Sequence, residues 1–236
     1  MGILARQHER LAVQHGLNGV NMFNDTVRSA GGSVTPMPQI FYLSQTQPLS
    51  KGQCAALSHL LVEATRNGKV NTLINNFYQA AATPKAASSR KFIQTLTDLQ
   101  KKVETPTGFH GVSSSQVNSV PYTKIADDLG QSPGTKILML GDDGHAMSAG
   151  VLVDGNKRSY FFFDPNYGLA SFPSIDSFRN GLTNVFNNKN FARPYKTTGP
   201  ANEVLEVKMS TNDGSFLLRD DIDKSAVINA FSAPLE

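Results

Sequence analysis

Three residues of the sequence could together perform nucleophilic catalysis: Cys54, His145 and Asp164. In such sites a cysteine thiolate attacks a carbonyl carbon, a histidine moves the proton, and a carboxylate holds the imidazole in its productive orientation. Gly52 frees the backbone just before Cys54, and apolar residues recur at three- and four-residue steps after it. Cys54 is therefore predicted at a helix N-terminus, where unpaired N–H groups and the helix dipole favour a thiolate.

The positions of His145 and Asp164 suggest how a histidine and a carboxylate could meet. His145 follows a turn at residues 141–144 and opens a strand-like run, while Asp164 ends the aromatic run Tyr160 to Phe163. The turn at residues 154–156, Asp-Gly-Asn, predicts a β-hairpin between these two runs. The hairpin would place His145 and Asp164 opposite each other at its open end, where the carboxylate could orient the imidazole.

Taken singly, these residues allow less specific interpretations. Free cysteine is among the most often buried residue types, so Cys54 alone indicates a small core residue. His145 alone fits a surface turn. A metal site on Asp142, Asp143 and His145 has too few ligands, because no second histidine lies at helical spacing. The combination of the three residue types favours a Cys-His-Asp nucleophilic site.

Three segments carry a resemblance to a known family. They are Gly52 to Ser58 around the cysteine, Gly144 to Met147 around the histidine, and Phe162 to Gly168, which contains an Asp-Pro-Asn turn. They resemble the YopT/AvrPphB-type papain-like cysteine proteases of bacterial virulence effectors and, more loosely, papain-like glutamine deamidases. The resemblance implies a papain-like hydrolase fold and maps the family's catalytic Cys, His and Asp onto the three residues above.

The resemblance also implies an oxyanion hole. Papain-like enzymes place a polar side chain, often glutamine, a few residues before the cysteine, where it helps the cysteine N–H bind the oxyanion. Gln47 stands seven positions before Cys54 and Gln45 nine, whereas Gln53 is adjacent and would point elsewhere on the helix. The expected oxyanion hole is therefore Gln47 with the Cys54 backbone N–H, and Gln45 is the next candidate.

Apolar periodicity divides the chain into a helical part and an extended part. Helices are predicted at about 53–66, 70–82, 88–103 and 174–187. Extended runs are predicted at 136–140, 145–153, 160–163 and 203–209. Helices followed by an antiparallel sheet are the α+β pattern, so the N-terminal helical part is expected to pack on a central antiparallel sheet.

Domain boundaries follow from the same pattern. Residues 1–48 combine a candidate amphipathic stretch at 4–17 with glycines and prolines that interrupt regular structure, and are predicted to be an irregular lead-in. Residues 104–135 are predicted to be a Ser-, Gly- and Pro-rich connection. The catalytic domain is expected at 49–236, with its helical part at about 52–105 and its sheet part at about 136–210. The terminal Met1-Gly2 and Leu235-Glu236 look like cloning-site remnants, so the chain is expected to be a fragment.

Composition excludes several classes of protein. Of the 236 residues, 39% are hydrophobic, which permits a packed core, and one cysteine excludes an internal disulfide framework. The net charge of +3 is too small to demand a nucleic-acid partner. Neither a cofactor nor a metal is expected. A basic group near the third helix indicates a solvated face or a contact with an acidic protein or an anionic membrane: Lys85, Arg90, Lys91, Lys101 and Lys102.

The expected function is a papain-like cysteine protease that cleaves a host protein through a thioester acyl-enzyme. A glutamine or asparagine deamidase is second and an acyltransferase third, because all three reactions use the same acyl-enzyme. A decayed papain-like binding module is the non-enzyme alternative. The resemblance implies a secreted effector or toxin domain, expected as a monomer in the host cytosol. Its candidate substrates are a small GTPase, a kinase or a ubiquitin-pathway protein.

Overall fold

The computed structural model describes residues 3–46, 52–103, 117–142, 145–191, 195, 204–209 and 221–236. The helices of these residues are α1 (Ile3–Ser29), α2 (Gln39–Thr46), α3 (Cys54–Arg66), α4 (Val70–Ala82), α5 (Ala87–Val103), α6 (Tyr122–Gln131), α7 (Ile175–Asn187) and α8 (Lys224–Ser232). The strands are β1 (Ser33–Pro36), β2 (Val117–Pro121), β3 (Lys136–Asp142), β4 (His145–Asp154), β5 (Lys157–Asp164), β6 (Gly168–Phe172) and β7 (Val204–Met209).

The strands form one antiparallel sheet in the order β1-β6-β5-β4-β3-β7-β2. Strands β4 and β5 lie near its centre and form a hairpin in which Asp154 pairs with Lys157 and Ser148 with Phe163. Gly155 has a φ of 57°, which the tight turn between the strands requires and glycine adopts without strain. The hairpin predicted from the Asp-Gly-Asn turn is confirmed.

Helices cover both faces of this sheet. Along β4, Ala146 faces the layer of α3, α4, α5 and α8, whereas Met147 and Ala149 face the layer of α1, α6 and α7. Along β5, Phe161 and Phe163 likewise separate from Phe162. A strand buried on both faces reads as a nearly continuous apolar run, as β4 and β5 do. The sheet therefore forms the middle of a three-layer domain.

The predicted α+β fold, with a helical part on an antiparallel sheet, is confirmed. The predicted helices agree closely with α3, α4, α5 and α7, and the predicted extended runs with β3, β4, β5 and β7. Helix α7 begins after Ser174, whose side chain accepts a hydrogen bond from the Ser177 N–H at 3.1 Å, as an N-cap does. The second helical layer was not predicted.

The prediction of an irregular lead-in at residues 1–48 was wrong for residues 3–46. Helix α1 is 27 residues long, and the buried apolar side chains described for it, Val20, Phe23 and Val27, lie in its second half. Packing of that face, rather than helix propensity, stabilises such a helix. Strand β1 pairs with β6, more than 130 residues away, and this long-range pairing leaves no trace in the local sequence.

The proposed connection at residues 104–135 also contains regular structure: β2 and α6 occupy its described end, residues 117–131. Strand β6 and helix α8 were not predicted either. Gly168 explains how β1 approaches β6, because a Cβ at this residue would lie 2.3 Å from the Thr35 carbonyl oxygen. Its φ of 147° also disfavours any other residue. Within the described residues, no helix is long and apolar enough to cross a membrane.

Candidate active site

Cys54 is the first residue of α3, which confirms the predicted helix N-terminus. The chain reaches it through Gly52, whose φ of 88° lies in the left-handed region that glycine tolerates best. Most of α3 is buried, because it packs between β4 and the neighbouring helices α4, α5 and α8. Cys54 itself remains partly exposed. Cys54 is therefore a partly buried residue at the start of a largely buried helix.

His145 is the first residue of β4 and Asp164 the last residue of β5, so the hairpin brings them together at its open end. The imidazole Nε2 lies 2.7 Å from Asp164 Oδ1. Both residues are buried, His145 with 7% of its surface exposed and Asp164 with none. The proximity predicted from the hairpin is confirmed.

The electrostatic surroundings of His145 favour its cationic form. Burial alone lowers the pKa of an imidazole, because a cation loses its hydration. The charge of Asp164 and the hydrogen bonds with Asp164 and Cys54 oppose this effect and raise the pKa of His145 from 6.5 to about 10. At neutral pH the ring is thus an imidazolium between a carboxylate and a thiol. The structure brings the three predicted site residues together.

Two residues that the sequence analysis did not select hold the Asp164 carboxylate. The Tyr195 hydroxyl donates to Oδ2 at 2.5 Å, and the backbone N–H of Asn166 donates to Oδ1 at 2.8 Å. The Asn166 side-chain nitrogen also lies 3.3 Å from His145 Nε2. Asn166 belongs to the Asp-Pro-Asn turn and could have been selected there. Tyr195 follows Asp164 by 31 residues and lies outside the three segments that carry the resemblance.

Gln39, the first residue of α2, is a third residue that the sequence analysis missed. Its Oε1 accepts a hydrogen bond from the Gln53 N–H at 2.7 Å, and its Nε2 donates to Asn166 Oδ1 at 3.0 Å. It therefore touches both the residue before Cys54 and the turn after Asp164. Because β1 and α2 were not predicted, the sequence carried no signal that this segment reaches the site.

Helix α5 supports the start of α3 from the other side. The Ala56 N–H donates to Gln100 Oε1 at 2.9 Å, and Gln53 Nε2 donates to Thr97 Oγ1 at 3.0 Å. Side chains of α5 thus satisfy polar groups in the first turn of α3, where backbone N–H groups lack partners within the helix. The position of Cys54 depends on these contacts between helices.

The predicted oxyanion-hole glutamines differ in their outcome. Gln47, the first candidate, lies outside the described residues. Gln45 is exposed on α2, and its Nε2 donates to Ser44 Oγ at 3.2 Å and to the Phe41 carbonyl oxygen at 3.4 Å. The structure thus places the Gln45 amide against its own helix and does not bring it to Cys54.

In the described part of the chain, no three His, Cys, Asp or Glu side chains are grouped so that they could share a metal ion. Asp143, one of the acidic residues beside His145, lies outside that part. The imidazole of His145 already contacts Asp164 and Cys54. What the arrangement can do chemically is general acid–base catalysis with a thiolate nucleophile.

Two large bacterial proteins contain a region similar in sequence to this chain. The chain is 28% identical over 213 residues to a multifunctional-autoprocessing repeats-in-toxin protein of Vibrio vulnificus, covering 76% of this chain and 4% of the toxin. It is 35% identical over 75 residues to the protein adenylyltransferase and cysteine protease IbpA of Histophilus somni (strain 2336), covering 32% of this chain and 2% of that protein. The chain thus corresponds to a small part of each.

A solved structure shares the fold. PatoxP, a cysteine protease-like domain of the Photorhabdus asymbiotica toxin PaTox, superposes with a TM-score of 0.65 at 16% identity, over 93% of this chain and 66% of that one. The sequence profile of the Mcf1 protease effector domain matches residues 3–235, nearly the whole chain. The resemblance to cysteine proteases of bacterial virulence effectors is therefore confirmed, and the chain belongs to the Mcf1 protease effector domain family of bacterial toxins.

Proposed function

We propose that this domain is a cysteine peptidase in which Cys54, His145 and Asp164 form a catalytic triad that cleaves a protein of the host cell. The observation that carries the proposal is the position of His145, whose ring contacts the Cys54 thiol and lies 2.7 Å from Asp164. Membership of a protease effector family supports the reaction class.

The reaction begins with attack of the Cys54 sulfur on the carbonyl carbon of the scissile amide, which forms a tetrahedral oxyanion. The His145 imidazolium then gives its proton to the leaving amine, the C–N bond breaks, and a thioester remains. His145, now neutral, takes a proton from a water molecule that attacks the thioester. The second tetrahedral intermediate expels the sulfur and releases the carboxylic acid.

Asp164 has a separate task in this mechanism. Its carboxylate accepts a hydrogen bond from the Nε2–H of His145, which keeps the other ring nitrogen directed at the sulfur and stabilises the cation. The Tyr195 hydroxyl and the Asn166 N–H occupy further lone pairs of the carboxylate and restrict its rotation. The Cys54 backbone N–H and Gln47 are proposed to bind the oxyanion.

The partner is proposed to be a host protein and not a membrane. Three lysines of the basic group near α5 line a groove of about 450 Å³ between α5 and the start of α8. Its charged lining residues balance: Lys91, Lys101 and Lys102 against Asp98, Asp221 and Asp223. Lys102 Nζ also lies 3.6 Å from Asp221 Oδ2. Such mixed charge weakens attraction to anionic lipid, which depends on clustered lysines and arginines. We propose that the domain acts as a monomer in the host cytosol.

Intact-mass spectrometry of candidate host proteins, among them small GTPases, kinases and ubiquitin-pathway proteins, tests the reaction. Two fragments whose masses sum to that of the substrate plus one water are the expected result. A mass increase of about one dalton in the substrate would show that the domain is a deamidase instead of a peptidase. A larger added mass would show that it is an acyltransferase. Cys54→Ala is the matched control. A mass change that persists with this variant would contradict the assigned nucleophile.

A further inference from the structure

Gln39 lies in the site although the mechanism above gives it no task. Its side chain is buried, with 4% of the residue exposed. Its backbone is also held, because the Gln39 N–H donates to the Pro165 carbonyl oxygen at 2.8 Å and the Met37 N–H to the Tyr167 carbonyl oxygen at 2.9 Å. The segment between β1 and α2 thus runs along the turn that follows Asp164.

The hydrogen bonds fix the orientation of the Gln39 amide and, through it, the orientation of the Asn166 amide. The Gln53 N–H can only donate, so the Gln39 atom 2.7 Å from it must be the acceptor Oε1. The nitrogen of Gln39 then faces Asn166, 3.0 Å away, and the facing atom of Asn166 must be its oxygen. The Asn166 nitrogen is consequently the atom that lies 3.3 Å from His145 Nε2.

The orientation of the Asn166 amide determines which group accepts the hydrogen bond from the His145 imidazolium. With its oxygen held by Gln39, Asn166 presents a donor to His145, so the Nε2–H of the cation has the Asp164 carboxylate as its acceptor. A reversed Asn166 would present its oxygen to the same Nε2–H and compete with Asp164. The donor that prevents this reversal is the Gln39 amide nitrogen.

We propose that Gln39 is a positioning residue that couples the start of the Cys54 helix to the Asp164–Asn166 turn. The inference rests on the proposed function and deepens it. One end of the Gln39 amide fixes the peptide unit before Cys54, and the other end fixes the orientation of Asn166. Both partners of the thiolate–imidazolium pair are thereby held by one side chain that touches neither.

Gln39→Glu tests the proposal because it keeps an acceptor for the Gln53 N–H and replaces the donor to Asn166 by a second oxygen. Asn166 should then reverse. We expect kcat to fall on the order of 10- to 100-fold with an unchanged KM. Gln79→Glu, a change of the same type at an exposed residue of α4, is the matched control and should behave as wild type.

The decisive readout is the rate of Cys54 alkylation by iodoacetamide against pH, with thermal unfolding of each variant. In Gln39→Glu, alkylation at about pH 6 should slow on the order of tenfold relative to wild type. Asn166→Ala combined with Gln39→Glu should react like Asn166→Ala alone, because the competing oxygen is gone. If Gln39→Glu does not fold, Gln39→Met serves instead, since it removes both hydrogen bonds without adding charge, and it should also slow alkylation.

Two results would overturn the inference alone. One is wild-type alkylation in folded Gln39→Glu or Gln39→Met, and the other is equal slowing by Gln39→Glu with and without the Asn166 amide. A wild-type protein whose Cys54 reacts like an ordinary thiol at every pH would overturn the proposed function, and with it this inference. The wild-type profile therefore separates the two failures.

Discussion

The two halves of the site are held in different ways. The His145–Asp164 half lies on adjacent central strands of a continuous sheet, where the ladder between β4 and β5 fixes the separation of the two side chains. The Cys54 half lies at a helix end that follows a positive-φ glycine, and side chains from α2 and α5 hold it. A strand ladder tolerates the loss of one side chain better than a helix end that depends on individual amides.

The two halves of the site also differ in what they contribute to the proposed reaction. In the proposed mechanism the sheet half supplies the base and its orienting carboxylate from paired strands, as a site that must keep distances within about 0.5 Å requires. In the proposed mechanism the helix half supplies the nucleophile, and the hydrogen bonds that hold it come from outside α3. Substitutions in the two halves should therefore differ in whether they change kcat, the free energy of unfolding or both.

The largest expected effect is that of Cys54→Ala, which removes the nucleophile from the helix half. Turnover should fall by at least about 10,000-fold, because the remaining groups cannot form an acyl-enzyme. The unfolding temperature should change little, since Cys54 is partly exposed. Substrate cleavage measured by mass spectrometry, with circular dichroism to show folding, checks both statements. Residual cleavage close to that of the wild type would exclude Cys54 as nucleophile.

Asp164→Asn should give the next largest effect and act on the sheet half. The amide can still hydrogen-bond His145 but cannot stabilise the cation or enforce the productive tautomer, so kcat should fall on the order of 100- to 10,000-fold. Steady-state kinetics measure the loss. Tyr195→Phe, which removes only the hydrogen bond to Oδ2, is the graded control and should cost less. An Asp164→Asn variant with wild-type kcat would show that the carboxylate has no part in turnover.

Gln47 and Gln45 provide a matched pair in the helix half. Gln47→Ala should lower kcat on the order of 100- to 1,000-fold at nearly constant KM, as the loss of one oxyanion donor does. Gln45→Ala should change kcat less than about twofold, because the exposed Gln45 amide bonds within α2. Kinetics of the two variants decide between the residues. The reverse order of effects would assign the donor to Gln45.

The smallest expected effect is a pH-dependent stability from the sheet half. The pKa of folded His145, about 10, lies above its ordinary 6.5, so the folded protein binds this proton more tightly. The resulting stabilisation is fully present below pH 6.5 and is lost as the pH rises through about 10. The difference in free energy of unfolding between wild type and Asp164→Asn should therefore shrink as the pH rises over this range. Thermal unfolding at several pH values measures it, and a constant difference would exclude the ion pair.

Local signals account for what could be predicted from the sequence. The aromatic and apolar runs of β4 and β5 and the glycine turn between them determine a hairpin, and the hairpin determines that His145 meets Asp164. The apolar steps after Cys54 likewise predict α3. These elements depend on neighbours in sequence, so periodicity and turn chemistry are sufficient to find them.

Long-range contacts account for what was missed. Strand β1 exists because it pairs with β6, and Gln39 reaches the site because β1 leads α2 along the Asp164 turn. Tyr195 binds Asp164 although 31 residues separate the two in sequence. The spacing before the cysteine led to Gln47 and Gln45. The glutamine that contacts the residue before Cys54 is Gln39, which stands 15 positions before Cys54 in the sequence. Such residues become visible only when the sheet order is known.

If Cys54 and His145 act as a pair, the pH dependence of Cys54 alkylation must show it. The chain has one cysteine, so the mass added by iodoacetamide reports that residue alone. Alkylation of the wild type should stay fast down to about pH 6, well below the range of an ordinary thiol, and His145→Ala and Asp164→Asn should abolish this reactivity. A wild-type profile that follows an ordinary thiol titration, unmoved by either substitution, would contradict the pairing.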